Sequence, residues 1–371
     1  NLLTPGARVE FIEISLDEYK KIQLEVTQNS SQLENLVLSK VNTVDVITSG
    51  TLTTIQDLPR HGYAHLALSS GGPVDVDSAA LANALIGNPT SAAGLEITGI
   101  GPQLLFHTDT WVAWVGAYCE AKIDGRRVFG NRPIRIHQGQ ILRFSSMQQG
   151  YRIFLAIAGG ILTKSILGGG SSHLSSGIGS KPIQKGDVLY LSQPHYSDEK
   201  PLLENMMKRG ADSTKWFIAS PSIPTHEAQF IAAIPSLHLD LLSDQDQELL
   251  WKTVWTVSSQ SNRMGMRLDS HFKISSSIAG IPSQGIWFGT VQLPPSGQPI
   301  LMLSEHQTTG GYPRLLEVVR SERSKLAQLK PGDKFQFIRA TLEDADKINA
   351  LYFANQIKTL NNIESALLGK L

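Results

Sequence analysis

The stretch that decides the fold runs from Tyr151 to Ala156 and reads Tyr-Arg-Ile-Phe-Leu-Ala, a short apolar run rich in strand-forming residues. Similar runs lie on either side of it, at Thr43–Thr48 and Val188–Leu191. Between about residues 42 and 193, many such runs are separated by glycines and prolines. Short strands with frequent turn signals are typical of a β-barrel or a β-sandwich. The sequence therefore predicts a mainly β protein.

A few helices interrupt this pattern. Asp77–Ile86 contains good helix formers, and the segment Gly87–Pro89 that follows it stops a helix. Asp75 or Asp77 is in position to cap its start. Near the other end of the chain, Leu342–Leu360 has apolar residues at helical spacing. We predict a C-terminal docking helix within residues 342–371.

Two segments near the ends of the chain resemble each other. Leu3–Ile12 and Leu329–Ile338 each place a Pro-Gly turn before an alternating strand. Each is followed, at the same offset, by a hydroxyl residue with an acid three positions on, which is a capping-box-like helix start. This internal similarity predicts that residues 1–42 are the C-terminal tail of a preceding, related domain together with a linker.

The remaining boundaries follow from composition. A polar, proline-bearing stretch separates two strand-rich regions. We predict a first β lobe at 43–200, a connecting segment at 201–225, a second β lobe at 226–341 and the helix at 342–371.

Composition narrows the functional classes. The 33 basic and 33 acidic residues balance, which gives no electrostatic reason to expect nucleic acid or an anionic membrane as a partner. No apolar run approaches the roughly 20 residues that span a bilayer. The single cysteine, Cys119, lies in an apolar run and is predicted to be a buried structural thiol. We expect a cytoplasmic protein.

The first segment that could carry chemistry precedes the helix at Asp77. Gly71 and Gly72 can present backbone N–H groups to an anion, and Asp75 can either cap the helix or act in a site. His61 and His65 have a metal-like spacing, but Gly62 and the strand context argue against a zinc site. We predict no metal here.

The second segment contains Arg263 and Arg267, four residues apart around Gly265. Two such arginines can clamp a carboxylate or phosphate through bidentate hydrogen bonds. The alternative is a solvated turn.

The third segment, Glu305–Pro313, reads Glu-His-Gln-Thr-Thr-Gly-Gly-Tyr-Pro and follows the apolar run Pro299–Leu303. Hydroxyls, an amide and paired glycines on a loop suit a small polar ligand. A tight structural turn is the alternative. Gly159–Ser165 ends like a phosphate loop, but Thr163 stands where the second glycine is required.

Together these segments resemble a known family. The residues that carry the resemblance are Leu52–Asp57, Gly71–Asp75, Leu81–Asn83, Gly87–Pro89, Leu95–Thr98, Ala156–Gly160, Arg263–Gly265, Gly297–Ile300 and Gln307–Pro313. In this order, from about residue 44 to 345, they resemble the bacterial-type family of 5-oxoprolinase C-type components and allophanate hydrolase subunit 2, also called the urea amidolyase-related or carboxyltransferase-domain family. The N-terminal segment resembles the end of the B-type component (allophanate hydrolase subunit 1), which is fused upstream in some relatives.

The resemblance implies two linked cyclophilin-like β-barrel lobes. It also implies a hydrolase component that works with A-type and B-type components, opening the cyclic amide 5-oxoproline to glutamate with ATP, which is bound with Mg through the complex. For this reaction, the candidate acid–base residues are Asp75, Glu96 and Glu305. The candidate substrate-binding residues are Gly71, Gly72, Arg263, Arg267, Gln307, Thr308, Thr309, Gly310, Gly311 and Tyr312.

Two other functions stay open. One is a carboxyltransferase for a urea-like amide, which needs a biotinyl partner because this chain has no biotinyl Met-Lys-Met segment and so no covalently attached biotin. The other is a non-enzymatic regulatory binding module. The sequence departs from the family pattern at Asn262, where aspartate is common, and at Gln284, where glutamate is common.

Overall fold

The computed structural model describes residues 15–16, 42–193, 201–219, 229–274 and 280–370. Asn42–Leu371 form one unit, and Asn1–Val41 form another. The predicted tail of a preceding domain, at residues 1–42, therefore lies almost entirely outside the described residues.

The first lobe is a nine-stranded antiparallel sheet that curls into a half-barrel. Its strands, in chain order, are β1 (Asn42–Thr48), β2 (Leu52–Gln56), β3 (Gly94–Thr98), β4 (Gln103–Phe106), β5 (Thr110–Ile123), β6 (Arg126–Val128), β7 (Ile134–Ile136), β8 (Ile141–Ile157) and β9 (Val188–Leu191). The path through hydrogen-bonded neighbours is β2-β3-β8-β4-β1-β9, and β5 pairs with β6, β7 and β8.

The run Tyr151–Ala156 belongs to the long strand β8, which is buried on both faces from Arg152 to its end at Ile157. Ile153 and Leu155 point into the core of the half-barrel, which also contains Trp114 and Phe144. Phe154 points to the other face and packs with helical residues in a second apolar cluster. Burial on both faces explains why this strand reads as a continuous apolar run rather than as an alternating one.

The second lobe is a closed barrel of seven strands, ordered β10-β17-β14-β15-β12-β11-β18. These are β10 (Gln229–Pro235), β11 (Trp255–Val257), β12 (Gly265–Asp269), β14 (Thr290–Gln292), β15 (Ile300–Met302), β17 (Arg314–Val318) and β18 (Lys334–Arg339). Two further short strands, β13 (Gln284–Gly285) and β16 (Thr309–Gly310), pair with each other as a separate two-stranded sheet. Trp255 and an edge-to-face pair of phenylalanines, Phe335 and Phe337, with ring centroids 5.1 Å apart, fill the barrel.

Five α-helices lie in the described part of this unit: α1 (Val76–Leu85), α2 (Pro201–Lys208), α3 (Asp244–Lys252), α4 (Arg323–Ala327) and α5 (Leu342–Leu367). Asp75 is the N-cap of α1. A capping box of Thr341 and Asp344 begins α5, as the pattern predicted, and the helix continues past Leu360 to Leu367. Among the described residues, no helix is both long enough and apolar enough to cross a membrane.

The predicted fold class, mainly β with two barrel-like lobes, is confirmed. Only the second lobe closes, whereas the first remains a curled sheet. Cys119 is buried within β5, as predicted, and burial raises the pKa of its thiol to about 12. The thiolate form is therefore scarce near neutral pH, which suits an inert structural cysteine.

Candidate functional site

The two lobes meet around one buried arginine, Arg263, whose exposed fraction is 4%. Its Nε donates to Glu305 Oε1 at 2.6 Å, and its Nη1 donates to Glu96 Oε1. Its Nη2 donates to the carbonyl oxygen of Gly72 at 2.6 Å. Glu96 and Gly72 belong to the first lobe and Glu305 to the second, so this guanidinium links the lobes. We call Glu96, Arg263 and Glu305 the interlobe triad.

Arg263 lies in the loop between β11 and β12, where the backbone holds it firmly. Its carbonyl oxygen accepts from the N–H of Glu305 at 2.9 Å. The Asn262 side-chain oxygen accepts from the N–H of Met264 at 2.8 Å. An aspartate at position 262 could accept the same hydrogen bond, so the departure from the family pattern at Asn262 leaves the turn intact.

The glycine pair also joins the lobes. Gly71 and Gly72 have φ of +60° and +78°, in the left-handed region that glycine adopts without strain. The N–H of Gly71 donates to the Ser304 carbonyl at 3.0 Å, and that of Val74 donates to Glu96 Oε2 at 2.6 Å. The N–H groups of Gly71 and Val74 are therefore bonded to the protein's own carbonyl and carboxylate rather than presented to a ligand anion.

Asp75 lies one residue further on and is only 3% exposed. Its carboxylate accepts from the N–H of Ser78 at 3.1 Å, which caps α1, and from Gln328 Nε2 at 2.7 Å. Burial, and then the neighbouring Asp77 carboxylate, raise the pKa of Asp75, while the hydrogen bonds from Ser78 and Gln328 lower it. A raised pKa suits proton transfer nearer neutral pH, but these contacts make Asp75 a helix cap and a bridge to the second lobe.

Beside the triad lies a buried histidine that the sequence reasoning did not single out. His173 Nε2 is 2.9 Å from Ser69 Oγ, and its Nδ1 is 2.9 Å from Ser176 Oγ. Burial lowers the pKa of His173, despite the opposing attraction of Glu305, so the imidazole is neutral near pH 7. A lone histidine in a region of serines and glycines gave no local signal, because Ser69 lies 104 positions away in the chain.

Glu305 makes the stability of the folded protein depend on pH. Burial pushes the pKa of Glu305 upward, but Arg263 and the backbone N–H groups of Ser175 and Leu174 outweigh this effect, so its pKa lies below the ordinary 4.5. A depressed pKa contributes stability that is complete above the unfolded value and is lost as the pH falls through the folded value.

We therefore expect the stability difference between wild type and Glu305→Gln to shrink as the pH falls from about 6 to about 3. Urea denaturation over this range measures that difference. Glu343→Gln is the control, because Glu343 forms an exposed pair with Lys347, and its effect should stay small throughout. A Glu305→Gln difference that does not change with pH would contradict the depressed pKa.

Arg267 does not join Arg263. It lies in β12, where its side chain is on the exposed outer face, whereas Arg263 precedes the strand and turns inward. Residues four apart within one strand would point to the same face. Arg263 lies before the strand, in the loop, so this rule does not apply to it and the two arginines are not brought together. The sequence-predicted clamp is therefore replaced by one arginine held between two glutamates.

The loop after Glu305, residues 306–313, forms a two-stranded ribbon with β13, and we call it the ribbon loop. Thr309 and Gly310, in β16, pair with Gly285 and Gln284 in β13. The Gln307 side chain donates to Gln292 Oε1 at 3.1 Å, so it is partly committed to the protein. Thr309 is exposed, Thr308 and Gly311 are half-buried, and Tyr312 is 40% exposed. The triad thus anchors one end of a loop whose hydroxyl and aromatic groups are open to solvent.

A second set of residues that the sequence did not reveal connects the lobes near Asp75. Gln328 Oε1 accepts from the N–H groups of Tyr151 and Arg152 at 3.1 Å each. Arg152 Nη1 donates to the Ala327 carbonyl at 2.6 Å. These contacts span more than 170 positions in the chain, so no local pattern could have identified them. In the described part of the chain, no three His, Cys, Asp or Glu side chains are grouped as metal ligands.

Most of the chain matches a protein family and several individual proteins. A family model described as "Carboxyltransferase domain, subdomain A and B" matches residues 66–339. The C-type component of the 5-oxoprolinase of Escherichia coli is 33% identical over 305 residues, which cover 81% of this chain and 93% of that protein. The corresponding 5-oxoprolinase component of Haemophilus influenzae is 29% identical over 323 residues, covering 85% and 98% respectively.

A solved structure of the K. lactis urea amidolyase superposes with a TM-score of 0.75 at 26% identity. The match covers 86% of this chain but only 20% of that one, so this chain corresponds to about a fifth of that larger protein. The family match spans the glycine pair, the triad and the ribbon loop in both lobes. By this match and by its similarity to the 5-oxoprolinase C-type components, the chain belongs to the carboxyltransferase domain family with subdomains A and B.

Proposed function

We propose that this chain is the C-type component of an ATP-dependent 5-oxoprolinase, which converts 5-oxoproline and water to glutamate with ATP hydrolysis. The observation that carries the proposal is the match to two proteins named as this component over nearly their whole lengths. Its proposed partners are an A-type protein and a B-type domain. The single cysteine needs no oxidising compartment, which agrees with a cytoplasmic complex.

The proposed substrate site is the solvent-open side of the ribbon loop. 5-Oxoproline is a small molecule with one lactam and one carboxylate, so it needs a few convergent polar groups rather than a large pocket. Thr308, Thr309 and Tyr312 supply hydroxyl groups there, while Glu305 fixes the start of the loop through Arg263. In this proposal the interlobe triad positions the loop, and the loop binds and orients the substrate.

The ring amide of 5-oxoproline is stable, and ATP supplies the free energy that activates it. We propose that ATP, with Mg, binds through the assembled complex. The Gly159–Ser165 segment does not fit a phosphate loop, because Gly159 donates its N–H to Asn88 and Gly160 donates to the Ile157 carbonyl. Those two donors serve the turn after β8 and not a nucleotide.

The test is ATP hydrolysis by the assembled complex, measured with and without 5-oxoproline. We expect 5-oxoproline to stimulate ATP hydrolysis. We expect Thr308→Ala to raise the apparent KM for 5-oxoproline about fivefold to tenfold, as loss of one ligand hydrogen bond worth about 1 kcal/mol would do. Thr108→Ala is the matched control, since Thr108 is also half-buried and its hydroxyl donates to the carbonyl oxygen of its neighbour Asp109 at 3.4 Å. No stimulation in a complex shown to assemble would refute the proposal.

A carboxyltransferase module is the second candidate, and the TM-score of 0.75 with a urea amidolyase favours it. The same fold would then pass a carboxyl group between a biotinyl partner and a urea-like amide. Urea-dependent ATP hydrolysis that requires added biotinyl protein, with no response to 5-oxoproline, would select this function.

A further inference from the structure

A cleft rich in arginine lies in the first lobe, at the end formed by β5, β6 and β7. Its volume is about 410 Å³, within the range of about 300–1,000 Å³ that is usual for small-molecule pockets. The lining includes Arg126, Arg127, Arg132, Arg135 and His137. It shares no residue with the interlobe triad or the ribbon loop. We call it the arginine cleft.

The positive charge of the cleft is only partly neutralised. Asp109 pairs with Arg135 at 2.7 Å, and Asp212 pairs with His137 at 2.9 Å. In the described part of the chain, the remaining three arginines of the cleft form no ion pair with any carboxylate; they are Arg126, Arg127 and Arg132. Three uncompensated guanidinium groups around one concavity repel one another. An anion that enters the cleft is attracted electrostatically by all three.

Aromatic rings hold two of these guanidinium groups in place. Arg127 lies over the Phe129 ring at 5.1 Å, and its Nη2 donates to the Tyr118 hydroxyl at 2.5 Å. Arg132 lies over the Phe217 ring at 4.9 Å. Stacking uses the face of a guanidinium and leaves N–H groups at its edge, so orientation is fixed while donors remain. Such preorganisation reduces the entropy lost on binding.

We propose that the arginine cleft is a binding site for a small phosphate-bearing anion, of the diphosphate type. Arginine forks match phosphate oxygens in bidentate geometry. A ligand with several negative charges compensates three guanidinium groups, which a single carboxylate does not. The site is independent of the proposed oxoprolinase activity, because it rests on residues that the substrate loop does not use.

The test is a calorimetric titration of the 371-residue chain with inorganic pyrophosphate at low salt. We expect one binding site, and we expect its affinity for pyrophosphate to fall at least tenfold in the double variant Arg127→Gln/Arg132→Gln. The matched control is Arg320→Gln/Arg339→Gln, which removes the same charge from two exposed arginines that also stack on aromatic rings, those of Phe353 and Trp251. The control should bind like wild type. Circular dichroism verifies that both variants fold.

Three results would overturn the proposal. The first is an absence of pyrophosphate binding. The second is equal weakening of pyrophosphate binding in both double variants, which would mean that only net charge matters. The third is binding of a hexaglutamate peptide, lost in Arg127→Gln/Arg132→Gln, without binding of pyrophosphate. That result would make the arginine cleft a docking surface for an acidic protein segment instead.

Discussion

Arg263→Ala is expected to destabilise the protein by about 3–5 kcal/mol, the cost of leaving buried charges unpaired. The substitution leaves two buried carboxylates without their cationic partner, since Glu96 is 3% exposed and Glu305 is 2% exposed. It also leaves the Gly72 carbonyl without its donor. Urea denaturation measures the loss, and the proposed substrate-stimulated ATP hydrolysis should fall with it because the ribbon loop loses its anchor.

Arg267→Ala is the matched control for this experiment. The same residue type, four positions on, is exposed on the outer face of β12, so its removal should change the free energy of unfolding by no more than about 0.5 kcal/mol. Equal effects of the two substitutions would show that the interlobe triad does not stabilise the junction between the lobes.

Gly72→Ala is expected to cost about 2–5 kcal/mol, from two sources that add. Forcing alanine into the left-handed region costs about 1–2 kcal/mol. The new Cβ would also lie 2.9 Å from the backbone nitrogen of Pro59 and 3.0 Å from its Cα, so the backbone must shift, at about 1–3 kcal/mol. That shift would move the Gly72 carbonyl away from Arg263. Thermal and urea denaturation measure the total.

Gly62→Ala separates the conformational cost of the left-handed backbone from the steric cost of the new Cβ. Gly62 has φ of +90°, also in the left-handed region, but nothing lies within 4 Å of the position that its Cβ would occupy. It should therefore incur only the conformational cost of about 1–2 kcal/mol. If Gly72→Ala proves no worse than Gly62→Ala, then the close approach of Pro59 is not a constraint.

The sequence predicted correctly those features that depend on neighbours along the chain. The capping box of Thr341 and Asp344 is confirmed because its two members are three positions apart, within one helical turn. The sequence offered Asp75 or Asp77 as the cap of α1, again within a few residues of the helix start, and Asp75 is the cap. Burial of Cys119 followed from an apolar strand pattern, and the mainly β class from repeated turn signals.

The partners of the candidate site residues could not be predicted in this way. Arg263 and Arg267 look equivalent in sequence, yet one is buried between two glutamates and the other is exposed. The difference arises because Arg263 lies before β12 and meets Glu96 across the lobe junction, 167 positions away. Glu96, His173 and Gln328 acquire their partners through contacts between segments that are 167, 104 and 253 positions apart in the chain, respectively.

By itself, then, the sequence determined the strand-rich class, the helix caps, the buried cysteine and the family. Periodicity and capping act over a few residues, and family resemblance resides in short motifs. Only the tertiary structure decided that the second lobe closes while the first remains curled, that Gly71 and Gly72 bind the protein's own groups, and which arginine is buried. Each of these depends on contacts between distant segments, whose energies are set by burial and pairing rather than by local conformation.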